Sequence, residues 1–156
     1  MYGISLKMKP NATISKLMNA KDIIDKVAKT TLEKASLLVI SKAKQEAPRK
    51  TSTLARSITY NVEKSGGDWQ SRVGSNVEYA PHQEYGTGIY GKGSRIVPKR
   101  AKMLAWKGKT GKMIFARSVK GTKGKKFMQK GIDYLQDKMS EVQSIASQVM
   151  KQETGQ

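Results

Sequence analysis

The single histidine of the chain, His82, stands two residues before Glu84. On a strand that spacing puts both side chains on one face. An imidazole beside a carboxylate is the smallest unit of general acid–base or metal chemistry. Here it is too little, because a metal site needs several ligands at matched spacing and the other carboxylates are scattered. Without a cysteine, disulfides, thiolate nucleophiles and cysteine-based zinc sites are excluded. No G-x-S-x-G elbow offers a serine to His82. The run Gly121-Thr122-Lys123-Gly124-Lys125-Lys126 leads into a helical pattern and suits an anion at a helix N-terminus. It lacks the G-x-x-x-x-G-K-[ST] pattern of a nucleotide loop. No catalytic, cofactor-binding or metal-ligating residue is therefore assigned, and the chain reads as non-enzymatic.

The chemistry that stands out is charge. Of 30 basic and 12 acidic side chains in 156 residues, net +18, the forty residues 87–126 hold 13 basic and no acidic ones. These are Lys92, Arg95, Lys99, Arg100, Lys102, Lys107, Lys109, Lys112, Arg117, Lys120, Lys123, Lys125 and Lys126. Such a block repels itself and stays extended until an anionic partner neutralises it. Tyr90, Trp106 and Phe115 are interleaved with these cations, an arrangement suited to phosphate contact with stacking on bases. Trp106 and Phe115 also lie within strand patterns, where core packing is the commoner use. No RRM, KH or zinc-finger signature is present, so the block suits phosphate contact without sequence readout, or docking on an acidic protein surface.

The elements that must position these residues are legible from periodicity. Tyr2 to Lys9 alternates apolar and polar residues, as a short strand or edge arm does. From Lys21 to Ala47 the pattern is helical, with Ile24, Ala28, Thr31, Ala35, Leu38 and Lys42 on one face, widened by Ile23, Val27, Leu37, Val39 and Ile40. Asp22 and Asp25 fall in its expected first turns, and Pro48 stops it. Ile58, Tyr60 and Val62 pair across the turn Ser65-Gly66-Gly67-Asp68 with Trp69, Ser71 and Val73 as a hairpin. Gly86 to Ser94 is glycine-rich and reads as a mobile loop. Met103–Lys107 and Lys112–Val119 form a second hairpin around Gly108-Lys109-Thr110-Gly111. Met128, Ile132, Leu135, Met139, Val142, Ala146 and Val149 make a narrow apolar stripe on one last helix, for packing on the sheet or, alternatively, a seam between subunits.

The expectation is one α+β domain over 1–156: an N-terminal arm at 1–20, a helix at 21–47, an antiparallel sheet of about four strands at 54–119 with a basic glycine-rich arm at 86–100, and a helix at 126–150. The 37% hydrophobic content allows a modest core with long polar loops. No apolar run reaches the roughly 20 residues that span a bilayer, and Met1 to Pro10 has no signal-peptide h-region. A host cytoplasm is the expected place of synthesis, with no membrane partner.

Four segments of the chain resemble a known family. Ala47-Pro48-Arg49-Lys50-Thr51-Ser52-Thr53-Leu54-Ala55-Arg56-Ser57-Ile58 is similar to A-P-x-x-T-G-x-L-x-x-S-I, and Tyr79-Ala80-Pro81-His82-Gln83-Glu84-Tyr85-Gly86-Thr87 to Y-A-x-x-[VQ]-E-[FY]-G-T. Val73-Gly74 and Lys126-Phe127-Met128 match a V-G strand end and a P-F-L helix start. The pattern, read from about residue 20 to 150, resembles the "gene product ten-like" neck, tail-completion or minor tail proteins of long-tailed bacteriophages. Ser52 replaces the family's glycine and Lys126 its proline. The resemblance implies a virion structural protein forming a cyclic homo-oligomer, a hexamer, at the head–tail junction or top of the tail. Its neighbours would be head-completion and tail-tube or tail-terminator proteins, with non-specific phage-DNA contact open to the basic block. Tyr79, Glu84, Tyr85, Gly86, Thr87 and Tyr90 are the candidate interface residues. Glu84 is read either as a solvated strand-end carboxylate or as an ion pair to a neighbouring subunit or the basic arm. A nucleic-acid-binding protein without a virion role is the alternative.

Overall fold

A computed structural model of the protein describes residues 12–49 and 52–155, with side chains from residue 19 onward. The expected strand from Tyr2 to Lys9 lies outside these residues. Helix α1 runs Ala12–Glu46, so it begins well before Lys21 and takes in half of the expected N-terminal arm. Asp22 and Asp25 consequently sit within the helix rather than at its start. Pro48 ends it as expected, the last helical bond running from the Ala47 amide to the Ala43 carbonyl.

The buried stripe of α1 is rotated from the expected face. Val27, Ser36, Val39, Ile40, Ala43 and Ala47 are buried, while Ile24 is 59% exposed and Leu37 is exposed as well. Two layers cover this stripe from different sides. One is the hairpin of β1 (Ile58–Ser65) and β2 (Asp68–Ser75), antiparallel with Tyr60 opposite Val73 and Ser65 opposite Asp68. The expected alternation holds: Trp69, Ser71 and Val73 share one face. From that face the Trp69 indole donates to Asp25 at 3.0 Å and the Ser71 hydroxyl meets buried Ser36. The other layer is the C-terminal pair α4 (Phe127–Asp137) and α5 (Met139–Thr154), which packs on α1 rather than on a sheet.

Two further differences have local causes. The expected single C-terminal helix breaks at Lys138, whose backbone leaves helical geometry (φ −100°, ψ 13°). Its amide bonds at 3-10 spacing to Leu135 as well as to Tyr134, tightening the turn and redirecting α5 along α1. The expected four-stranded sheet is two separate two-stranded ones, β1–β2 and β3–β4 (Leu104–Lys107 and Met113–Ala116). The residues around Glu84, read as a strand end, instead form the short helix α3, Ala80–Tyr85, with Pro81 in its first turn. Proline is pre-organised there, where an amide would have no partner. A single helical turn, α2 (Thr53–Ser57), likewise replaces the start of the first strand.

The core is small and draws on each block singled out in the sequence. Ala47, Leu54 and Ile58 come from the first block, Ala80 from the second and Phe127 from the last, joined by Ile40 and Ala43 of α1. Phe127, Leu54 and Ile58 are the largest fully buried side chains. The motif residues thus meet because they are the core, burying apolar area worth about 1.5–3 kcal/mol for each large side chain. Ser52 and Lys126, the two departures from the family pattern, are the only non-glycine residues with positive φ among those described, at 55° and 53°. The glycine usual at position 52 matches that left-handed backbone. A proline at 126 could not adopt it.

Salt bridges knit the body. Glu46 receives Lys130 at 2.7 Å and Lys42 at 3.0 Å, tying α4 to α1. Lys130 first, then Lys42, holds the Glu46 carboxyl down at about 2. Lys64, then the Trp69 indole, likewise lowers that of Asp25, joining α1 to the hairpin.

Candidate functional site

The conspicuous block around Glu84 builds a clasp. After α3 the chain turns at Gly86 and runs through the 3-10 turn Gly88–Tyr90, antiparallel to residues 119–126. The Thr87 amide donates to the Thr122 carbonyl at 2.8 Å and the Ile89 amide to Lys120 at 2.9 Å. The Thr87 hydroxyl accepts from the Thr122 amide at 3.0 Å. Further along, the Lys125 and Lys126 amides donate to the Gln83 and Glu84 carbonyls at 2.7 and 3.1 Å. The two strands approach so closely that side chains do not fit between them. Gly86 has φ 87°, and a Cβ there would stand 2.7 Å from both the Gly124 nitrogen and the Thr122 carbonyl. A Cβ at Gly124 would in turn overlap the Glu84 carbonyl.

Glu84 completes the clasp. It is neither solvated nor, within the described structure, paired with the basic arm. It is buried on α3, and its carboxylate accepts from the Met128 amide at 2.8 Å and the Gln129 amide at 3.1 Å. Those are orphan donors of the first turn of α4, whose N-cap position, Lys126, supplies no side-chain bond. The anion expected at this helix N-terminus is therefore a carboxylate of the chain itself, favoured by the helix dipole. The helical setting also separates His82 from Glu84. Two residues apart on a helix point to opposite sides, and His82 is exposed. No group of three potential metal ligands occurs among the described residues.

The remaining interface candidates lie around the clasp. Tyr79 precedes α3 and is exposed, Tyr85 ends it and is 71% exposed, and Tyr90 closes the 3-10 turn. The Lys123 ammonium lies 5.7 Å from the Tyr90 ring centroid, close enough for a cation–π contact. Thr87 and Gly86 are committed to the clasp itself.

Beyond the clasp the chain forms a projection. Its two legs are joined again where Ile96 and Val119 exchange backbone bonds of 2.9 Å and the Arg95 guanidinium reaches the Ser118 hydroxyl. Its tip is the β3–β4 ribbon, around the expected turn Gly108-Lys109-Thr110-Gly111, with Trp106 opposite Ile114 and Ala105 opposite Phe115. Between Thr87 and Lys126 not one residue is buried, and all thirteen cations are exposed. None of them forms an ion pair with a side chain among the described residues. Trp106 and Phe115, expected in the core as strand residues, are 40% and 61% exposed. The reason is topological: a two-stranded ribbon with no layer behind it has no inside.

Sequence reasoning missed Gly121 and Gly124 as partners of Gly86 and Gly88. The signal was present, since glycine-rich runs flank the cationic block on both sides. No helix among the described residues is long and apolar enough to cross a membrane.

Among the curated proteins and the solved structures no match to the chain is found. Residues 11–86 match the HK97-gp10-like family, described as "Bacteriophage HK97-gp10, putative tail-component". The match takes in α1, α2, the first hairpin and α3, and it ends at Gly86 where the clasp begins. The motif resemblance beyond residue 86, to about residue 150, lies outside that match. Over residues 11–86, just under half of its length, the chain is similar to the HK97-gp10-like family of bacteriophage tail components.

Proposed function

We propose that the protein is a virion structural subunit that forms a ring at the head–tail junction or the top of the tail. It serves there in neck assembly, tail completion or head–tail joining, and it assembles and binds without catalysing a reaction. The observation that carries this reading is the match of residues 11–86 to a tail-component family, ending at a clasp that presents an uncovered projection. A ring closes through heterologous contacts, in which one surface of a subunit meets a different surface of the next. Two dissimilar surfaces are available. One is the clasp side with exposed Tyr79, Tyr85 and Tyr90; the other is the groove between α1, the hairpin and α5, lined by exposed Ile24 and Met150 beside Trp69. Tyrosines suit such a contact, being amphipathic and enriched at interfaces. The ring is a homo-hexamer flanked by head-completion proteins on one side and tail-tube or tail-terminator proteins on the other. The projection, including residues 86–100, orders against a neighbour in that assembly.

Native mass spectrometry of the purified protein and peptide mass spectrometry of virions and headless tails test this. The expected results are a hexamer and presence in particles. A subunit that stays monomeric at high concentration and is absent from virions overturns the reading, leaving the nucleic-acid-binding alternative. Presence in headless tails assigns the ring to tail completion rather than head closure.

A further inference from the structure

We infer that the projection is a contact surface for the phosphate backbone of duplex DNA, with the β3–β4 ribbon as its leading edge. The inference goes beyond the ring and stands without it. Three observations carry it. The first is the unrelieved charge: thirteen exposed cations, no carboxylate in residues 87–126, and no ion pair to the body among the described residues. Elsewhere the same chain pairs its charges, as at Glu46, Asp25 and Glu63. The second is the kind of cation. Ten of the thirteen are lysines, a residue depleted at protein–protein interfaces but well suited to phosphate as a compact point charge. An acidic protein surface would be met more typically by arginine forks and a mixture of signs.

The third observation is shape. A two-stranded ribbon is one of the two protein elements that the major groove of B-DNA admits. Here the ribbon is flanked by Lys107, Lys109, Lys112 and Arg117, which would track phosphates on either side of it. Its register sets Trp106 with Ile114 on one face and Phe115 with Met113 on the other. Whichever face turns inward, an apolar surface meets base edges and thymine methyl groups. The ribbon strands, Leu104–Lys107 and Met113–Ala116, carry no Asn, Gln, Ser or Arg for reading bases, so the contact is independent of sequence.

The test is fluorescence anisotropy with a labelled duplex of about 30 base pairs and random sequence, titrated with the intact soluble protein from 50 to 200 mM salt. The expected result is binding that weakens steeply with salt. In the variant Lys107→Gln/Lys109→Gln/Lys112→Gln/Arg117→Gln, the slope of log affinity against log salt becomes shallower by about 3–4, near 0.9 for each lost phosphate contact. In Trp106→Ala/Phe115→Ala the affinity falls roughly tenfold with the slope retained. Thermal unfolding of each variant, unchanged from the parent, shows that the body is intact. Binding of equal strength and slope in the quadruple variant overturns the assignment and places the contact elsewhere on the chain. Failure to bind duplex at 50 mM salt, with polyglutamate bound under the same conditions, overturns it in favour of an acidic protein partner. Because the measurement uses free subunits, neither outcome depends on whether a ring forms.

Discussion

The chain has two phenylalanines, and they sit at opposite extremes of it. Phe127, at the first residue of α4, is 1% exposed within a core shared by α1, α2, β1 and α3. Phe115, in the ribbon, is 61% exposed. The body around the first has a buried apolar core, caps α4 with its own carboxylate and pairs several of its charges. The projection around the second does none of these things, yet it is held at its base by backbone bonds between glycine-rich strands. A segment with no buried residue contributes little to folding, so its composition is free to answer to something outside the subunit. The body makes the fold, and the projection is the part proposed to face a partner.

The largest effect that would break this comparison comes from one substitution made twice. Phe127→Ala should cost about 3–5 kcal/mol, the usual range for a buried aromatic. Phe115→Ala should stay within about 0.5 kcal/mol. Urea denaturation of both variants measures this, and similar costs at the two positions would dissolve the distinction. Next comes the clasp. Glu84→Ala removes a buried carboxylate that satisfies two helix donors and should cost about 2 kcal/mol. A variant with unchanged thermal stability would show that α4 does not need this cap.

A smaller effect of opposite sign sharpens the comparison within the body. Ser52→Gly relieves a left-handed backbone that disfavours side chains by about 1–2 kcal/mol. After the extra entropy glycine gives the unfolded chain, it should stabilise by about 0.5–1 kcal/mol. Calorimetry would register this as a small rise in Tm, and a fall would contradict the strain. The smallest effect is in acid. The folded Glu46 carboxyl is depressed to about 2, so its contribution is present above its ordinary value near 4.5 and is lost as pH falls from there toward 2. Glu46→Gln should therefore flatten the stability profile in that window and leave the region above pH 5 nearly parallel to the parent. An unchanged acid slope would remove this pair from the account.

Much of the body was legible because its signals are local. Pro48 ends α1, the Ser65–Asp68 turn sets the first hairpin, and the Gly108–Gly111 turn sets the second. The errors arose where tertiary partners decide. The α1 stripe is apolar on too many sides for periodicity to choose the face that the hairpin and α4 cover. Nothing near Lys138 in the sequence announces a helix break. Two hairpins of similar pattern were assigned to one sheet, although no strand order within the sequence joins them. At the site, the block from Tyr79 to Thr87 was found but its work was not. Glu84 reads as a surface charge until residues 127–129, far along the chain, bring the helix donors that it caps. The glycines of residues 121–124 suggest an anion at a helix N-terminus, because the strand that packs against them comes from the other side of the cationic block.

The most direct test of the division is hydrogen–deuterium exchange on the isolated subunit and on the same subunit in purified tails. The account predicts slow exchange in α1, β1, β2 and α4 in both states. Residues 92–117 should exchange rapidly when the subunit is free and become protected in the particle. Strong protection of residues 92–117 in the isolated subunit, or rapid exchange unchanged by assembly, would contradict a projection that is ordered by its partner.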